Sequence, residues 1–283
     1  MTKELEFKKI GLFVNPARPS TADCSIKIRH WLELNRVSYE YFNDYPLFSD
    51  WPDKGCRYSH LDLAIVLGGD GTFLNVARAM ALSDVPLFGI NVGRLGFLTE
   101  IDFRDVEERL SDVLAKRFQL QKRYFLKVTV YERETRKSFI AINDAVISRA
   151  RHARLIKIEI RLQDQVVESY RGDGVIFSSA TGSTGYSLSA GGPVAYPEMR
   201  TIIVTPIAPH SLSCRPIVMP PGAVLSARAE EAQDDVLLTI DGVSGIQLGP
   251  ESCVEILSPS TFINVLTFKE INFFSVLRKK LGN

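Results

Sequence analysis

The stretch Ile65-Val66-Leu67-Gly68-Gly69-Asp70-Gly71-Thr72-Phe73-Leu74-Asn75-Val76-Ala77-Arg78-Ala79-Met80 carries an apolar run into three glycines around one aspartate. A pattern of helical spacing then follows, Phe73, Ala77 and Met80. The apolar run from Leu61 to Leu67 reads as a strand covered on both faces. A strand, a glycine-rich turn and a helix make one unit of a parallel sheet, and ligands of such sheets bind beyond the carboxyl ends of the strands. Glycines there let phosphate oxygens approach backbone N–H groups, and the helix offers its positive N-terminus. Asp70 does not suit phosphate, since a carboxylate repels it. Two readings of Asp70 stand side by side: a helix N-cap, or a base that takes a proton from an attacking hydroxyl.

The pattern extends outward from this turn. Upstream, "KKIGLFVNP" is a short strand; Ser20 with Asp23 predicts a capping box, and Cys24, Ile28, Trp31 and Leu32 follow at helical spacing. Downstream, "VPLFGI" predicts a buried strand and Val106 to Ala115 an amphipathic helix. Alternation of this kind predicts an α/β, Rossmann-like domain with a parallel sheet over residues 1–121. From there strands succeed one another, as in "YFLKVTVYE", "LIKIEIRLQ", "DVLLTID" and "FINVL". Their period-two alternation predicts an all-β, sandwich-like domain over residues 122–268. The final segment, 269–283, predicts a helix with Ile271, Phe274, Leu277 and Leu281 on one face, returning to the first domain.

Composition bounds the partners. In 283 residues, 45% are hydrophobic and 24% charged, as in a globular protein with a full core. A net charge of +1 supplies no basic field for nucleic acid. No apolar run approaches the roughly 20 residues of a membrane span, and "MTKELEFKKI" lacks the apolar stretch of a signal peptide. Cys24, Cys56, Cys214 and Cys253 form no C-x-x-C pair and read as buried thiols of a reducing, cytoplasmic compartment. The four histidines lack metal-ligand spacing, so no structural zinc site is expected.

Two further clusters carry chemistry. Of the fifteen residues Ser178 to Gly192, thirteen are Gly, Ala, Ser or Thr. Set between apolar "GVIF" and "PVAY", they read as a surface for a flat ring or a sugar, a flexible linker being the alternative. Asn143-Asp144 ends "FIAIN", with two side chains able to hold ribose hydroxyls, although such a pair is also an ordinary turn. Arg171 to Gly174 alone reads as a turn.

In order along the chain stand "NPARP", "GGDGT", "NVGRLGFLTE", "IND", "RGDGVIFSSATGSTGYSLSAGGPV" and "PHSLSCRPIV". Together they resemble the NAD kinases over essentially the whole chain. GGDG is shared with lipid kinases and phosphofructokinases; the long "DGVIFSSATGSTGYSLSAGGP" segment carries the specificity. The resemblance implies transfer of the γ-phosphoryl group of ATP to the 2′-hydroxyl of the adenosine ribose of NAD, with Asp70 as proton acceptor. It places Gly69, Gly71 and Thr72 at the nucleotide beside Asp70, and Asn143 and Asp144 on the adenosine of NAD. Arg154, Arg171, Asp173 and Ala180 fall at further nucleotide positions, and Thr184, Gly185, Tyr186, Ser187, Leu188 and Ser189 match the stretch enclosing the dinucleotide. It also implies a divalent metal, Mg²⁺ carried by ATP, and a homodimer or homotetramer. Two departures are visible: Asp144 stands where the family usually has Glu, and Val243 follows Asp241-Gly242 where it often has a polar residue. A lipid kinase would call for an apolar or basic membrane-facing surface, and a non-catalytic nucleotide sensor for loss of the acid at position 70; neither feature is in the sequence.

Overall fold

The structure is a computed structural model and describes residues 7–15, 19–44, 57–93, 96–99, 101–150, 155–211, 213–230, 236–270 and 272–282. Its contacts divide the chain into two compact units, one of residues 1–47, 54–122 and 263–283 and the other chiefly of residues 123–262.

The first unit begins with β1 (Lys9–Val14), α1 (Pro19–Leu34), β2 (Ser38–Phe42), β3 (Leu63–Gly68), α2 (Asp70–Met80), β4 (Leu87–Asn91), β5 (Ile101–Asp102), α3 (Val106–Leu114) and β6 (Gln119–Tyr124). The second holds β7 (Leu126–Glu132), β8 (Thr135–Ala141), β9 (Asp144–Arg149), β10 (Ile156–Leu162), β11 (Gln165–Gly172), β12 (Gly174–Ser178), the short helix α4 (Tyr186–Ser189), β13 (Ile202–Ile207), β14 (Ile217–Met219), β15 (Val224–Glu230), β16 (Val236–Ile240), β17 (Val243–Leu248) and β18 (Cys253–Leu257). The chain ends in β19 (Phe262–Thr267) and α5 (Phe273–Leu281).

In the first unit the sheet order is β2-β1-β3-β4-β19-β6, with β5 beside β4. The pairs β1–β2, β1–β3, β3–β4, β4–β5 and β4–β19 are all parallel. Every residue of β3 is buried, as expected of a strand covered on both faces. Ile28 and Leu32 of α1 and Leu110 and Val113 of α3 share one core with Leu12, Ile65, Leu67 and Phe88. Gly89 belongs to the opposite face, since side chains alternate along β4. There the ring of Phe73 from α2 lies where a Cβ on Gly89 would come within 2.9 Å of it. The missing side chain lets α2 settle onto the sheet, which fixes where the N-terminus of α2 points.

The second unit is a sandwich. One sheet runs β11-β10-β15-β18-β7-β8 and the other β14-β13-β12-β9-β16-β17. Val128, Ile158, Leu225 and Ile256 of the first meet Ile147, Phe177, Val204 and Leu238 of the second in one core. Their alternation with wetter positions is the period-two signal of the sequence.

Four expectations need correction. The strand "FINVL" is β19 of the first sheet, not of the sandwich. Its own residues read as a strand; only pairing selects the sheet. Helix α1 begins at Pro19, so Ser20 lies within it and not at a capping box; proline suits a first helical position because its missing N–H would go unused there. The described cysteines Cys24, Cys214 and Cys253 are free and only half-buried. On α5 the buried residue is Val276, while Phe274 and Leu281 are 51% and 52% exposed and Ile271 lies outside the described residues. The helix belongs to the first unit, where Lys280 Nζ stands 4.7 Å from the centre of the Phe97 ring.

The docking face of α5 is therefore centred on Val276. Val276→Gln should destabilise the protein by about 1–3 kcal/mol by burying an amide without a partner, and Leu281→Gln should stay within about 0.5 kcal/mol. Urea unfolding of the two variants against the parent measures the difference. Equal effects would mean that the helix docks by another face.

Candidate active site

Asn15, the "GGDGT" turn and the described residues of "NVG…GFLT" come together at the end of β3. Gly69 is the N-cap of α2 in extended conformation, with no side chain closing the cap, and Asp70 is the first helical residue. The capping reading of Asp70 therefore falls. Its carboxylate instead reaches across to the segment after β4. Oδ2 accepts from the Phe97 N–H at 2.9 Å; Oδ1 accepts from the N–H groups of Leu98 and Thr99, each at 3.1 Å, and from the Thr99 hydroxyl at 3.2 Å. The Thr99 hydroxyl is itself met by Asn91 Nδ2 at 2.9 Å. Asn15 Nδ2 donates to the Thr72 hydroxyl at 3.2 Å.

Two glycines make this seat. A Cβ on Gly96 would lie 1.8 Å from Asp70 Oδ1, and one on Gly68 would lie 2.6 Å from the Thr72 hydroxyl. Both distances are far inside contact, so packing alone demands glycine. Gly71 differs: a Cβ there meets nothing within 4 Å, and the residue is exposed. The fold leaves open space at Gly71.

The second unit holds a cavity of about 420 Å³ lined by Asn143, Asp144, Val146, Ser148, Tyr186, Thr239, Asp241 and Gly242. Asn143 and Asp144 enter β9 from β8, and the turn they form is gripped from two sides. Asp241 accepts the N–H groups of Ile142, Asn143 and Asp144 at 3.0, 2.7 and 3.0 Å. On the carbonyl side, Ser179 donates its hydroxyl to Ile142 at 2.6 Å and its N–H to Asn143 at 2.8 Å. Gly182 presses so closely on this turn that a Cβ would stand 2.2 Å from the Asn143 carbonyl oxygen.

The serine-rich segment is thus an ordered wall and no linker. Its hydroxyls turn mostly inward: Ser183 donates to the Ala180 carbonyl at 2.6 Å, and Ser187 lies 2.9 Å from the Thr205 hydroxyl. Ala180 packs with Ala195 and Ile203 in a small core. Tyr186, 48% exposed, faces the cavity from α4, followed by Ser187, Leu188 and Ser189; Thr184 and Gly185 precede it. Arg171 and Gly172 end β11 and Gly174 begins β12, so Arg171 to Gly174 is strand around the single residue Asp173. Asp173 accepts from Arg149 Nε at 2.7 Å, while Arg171 is exposed. Arg154 lies outside the described residues.

Asp144 is only 6% exposed, and its carboxyl is pushed up to about 7, first by burial and then by the charge of Asp241. Asp241, Thr239, Gly242, Gly96, Thr99 and Asn91 also belong to these two sites without standing out in the sequence. A signal existed for some of them, since Asp241-Gly242 and "NVGRLGFLTE" were part of the resemblance, but nothing in the residues tied them to Asp144 or Asp70. Val243 begins β17 and does not line the cavity.

Residues 10–118 match the model of the ATP-NAD kinase N-terminal domain, and residues 142–266 that of the ATP-NAD kinase C-terminal domain. The chain belongs to the NAD kinase family. Among its relatives, the NAD kinase of Trichlorobacter lovleyi is 41% identical over 280 residues, covering 97% of this chain and 98% of that one. The NAD kinase of Desulforamulus reducens is 38% identical over 277 residues, 96% of each chain. A crystal structure of an NAD kinase from Archaeoglobus fulgidus in complex with ATP superposes with a TM-score of 0.75 at 25% identity, covering 96% of this chain and 98% of that one. Yeast NADH kinase complexed with NADH shares the fold, with a TM-score of 0.85 at 23% identity over 98% of this chain and 88% of that one. The α/β unit with the GGDGT turn and the antiparallel sandwich are thus the architecture of this family. Among the described residues, no helix is long and apolar enough to cross a membrane.

The raised carboxyl gives a stability prediction. Asp144 unfolded titrates near about 3.9 and folded near 7. Ionising it inside the fold costs stability, fully above pH 7 and not at all below about pH 4, so this contribution falls as pH rises through that window. Asp144→Asn removes the cost, on the order of 1.4 kcal/mol per unit of displacement. Scanning calorimetry should find the variant more thermostable than the parent at about pH 8, with the advantage fading towards about pH 5. An advantage independent of pH would contradict the assignment.

Proposed function

We propose that this chain transfers the γ-phosphoryl group of ATP to the 2′-hydroxyl of the adenosine ribose of NAD, giving NADP and ADP. The relatives' names and the family supply the substrates; the seating of Asp70 carries the chemistry. A carboxylate has about four acceptor positions. Oδ1 of Asp70 uses three donors and Oδ2 only one, which leaves Oδ2 able to accept a hydroxyl proton. The open space at Gly71 suits a nucleotide approaching the backbone beside it.

In this reading a ribose hydroxyl, a poor nucleophile at neutral pH, gives its proton to Asp70 as its oxygen bonds to phosphorus and ADP leaves. Asn143 and Asp144 hold the adenosine of NAD, with Tyr186 beside them on the cavity wall. Gly69 and Thr72, and Arg154, Arg171, Asp173, Thr184, Gly185, Leu188 and Ser189, complete the nucleotide contacts, with Ala180 and Ser187 supporting the wall from behind. A divalent cation, Mg²⁺, arrives as part of the ATP substrate, where it screens the triphosphate and orients it. The chain works in the cytoplasm as a homodimer or homotetramer.

Two substitutions test the roles. Asp70→Asn keeps most of the seat but removes basicity, so kcat for NADP formation should fall by roughly 10²–10⁴ while Kd for NAD, read by calorimetry, changes little. Turnover within a few-fold of the parent would reduce Asp70 to a positioning group. Asp144→Ala should raise KM for NAD about tenfold or more and leave KM for ATP near the parent value; equal effects would remove Asp144 from the NAD side.

A further inference from the structure

Asp241 occupies the turn between β16 and β17 at φ +47°, in the left-handed region. Such a conformation persists in a residue with a side chain when its surroundings over-determine it. Here they do. Oδ1 accepts from the Asn143 and Asp144 N–H groups and Oδ2 from that of Ile142. The Asp241 N–H in turn donates to the Asp144 carbonyl at 2.9 Å. Four hydrogen bonds thus join this one residue to the turn that carries Asn143 and Asp144. A backbone turn alone would need none of the three accepted by the carboxylate, and a second acid next to a buried one is an electrostatic cost. A costly arrangement this well satisfied points to a role beyond closing a hairpin.

We propose that Asp241 is a positioning residue of the NAD site, which holds the Asn143–Asp144 turn in place for the ribose and sets a second negative charge against the acid of that turn. The inference rests on the cavity being where NAD binds. Its consequence is an acceptor site sensitive to pH. Asp144 accepts ribose hydroxyls best when ionised, and both its burial and Asp241 oppose ionisation, so its carboxyl titrates near 7. The other groups around it do not compensate. Asn143, Ser148 and Thr239 on the cavity wall are neutral, Tyr186 is a phenol, and Ser178 of β12 is the strand partner of Asp144 on β9. Among the described residues lining the cavity there is no Lys, Arg or His. Affinity for NAD should therefore rise with pH across neutrality.

Calorimetric Kd values for NAD, measured from about pH 5.5 to 8.5 without ATP, test this in the parent, Asp241→Asn and Asp144→Asn. Asparagine tolerates the left-handed backbone and keeps one acceptor oxygen, so the turn should survive. The parent should gain about tenfold in affinity through an inflection near 7. Asp241→Asn should move that inflection to lower pH and bind NAD several-fold more weakly at its plateau; Asp144→Asn should bind weakly with no inflection. An Asp241→Asn profile that overlies the parent's overturns the proposal, as does a parent profile flat over the whole range. If Asp241→Asn does not fold, Asp241→Gly, which accepts the positive φ without strain, replaces it with the same shift expected. Parent and Asp144→Asn binding NAD equally at every pH would instead remove NAD from this cavity.

Discussion

A carboxylate that accepts three consecutive backbone N–H groups organises each unit of this protein. Asp70 takes those of Phe97, Leu98 and Thr99, and Asp241 those of Ile142, Asn143 and Asp144. Hydrogen bonds to an ionised acceptor are roughly twice as strong as neutral ones. Where a chain leaves or enters a regular ladder its N–H groups must find partners, and one acid satisfies three of them at once. The loop is thereby immobilised. In the first unit the acid so held is the proposed base. In the second the acid is support, and the proposed ligand-binding residues stand on the backbone it holds.

Close approach of backbone makes both seats possible. Gly96 leaves the space that Asp70 Oδ1 fills, and Gly182 lets the serine-rich wall lie against the Asn143 carbonyl. Ser179 completes the grip on the second turn from the carbonyl side. Rigid support of this kind is what a phosphoryl-transfer site needs, because its rate depends on holding an attacking oxygen in line and not on protein-borne covalent chemistry. Gly71 is the exception, open where the others are filled.

The acid carried by the second turn is set apart by its electrostatics. Asp144 has lost its water and gained a like-charged neighbour, which together raise its carboxyl towards neutrality.

The residues alone were enough for the class of each unit, because burial period is a local property: all-apolar "LDLAIVL" for a covered parallel strand, alternating Ile156, Ile158 and Ile160 for a half-wet one. Their order of motifs was enough for the family. The sequence also singled out Asp70, Asn143 and Asp144, since acids among glycines or at strand ends stand out from either period. It could not assign β19 to the first sheet, because strand pairing joins residues far apart in the chain and leaves no local trace. Nor could it find the buried face of α5, where the docking surface and not the helix selects Val276. That Asp70 grips residues 97–99 instead of capping its own helix, and that Asp241 reaches back some hundred positions to the Asn143–Asp144 turn, were decisions of the tertiary structure. Hydrogen bonds to backbone N–H groups place no demand on the identity of the donor residues, so no sequence pattern records them.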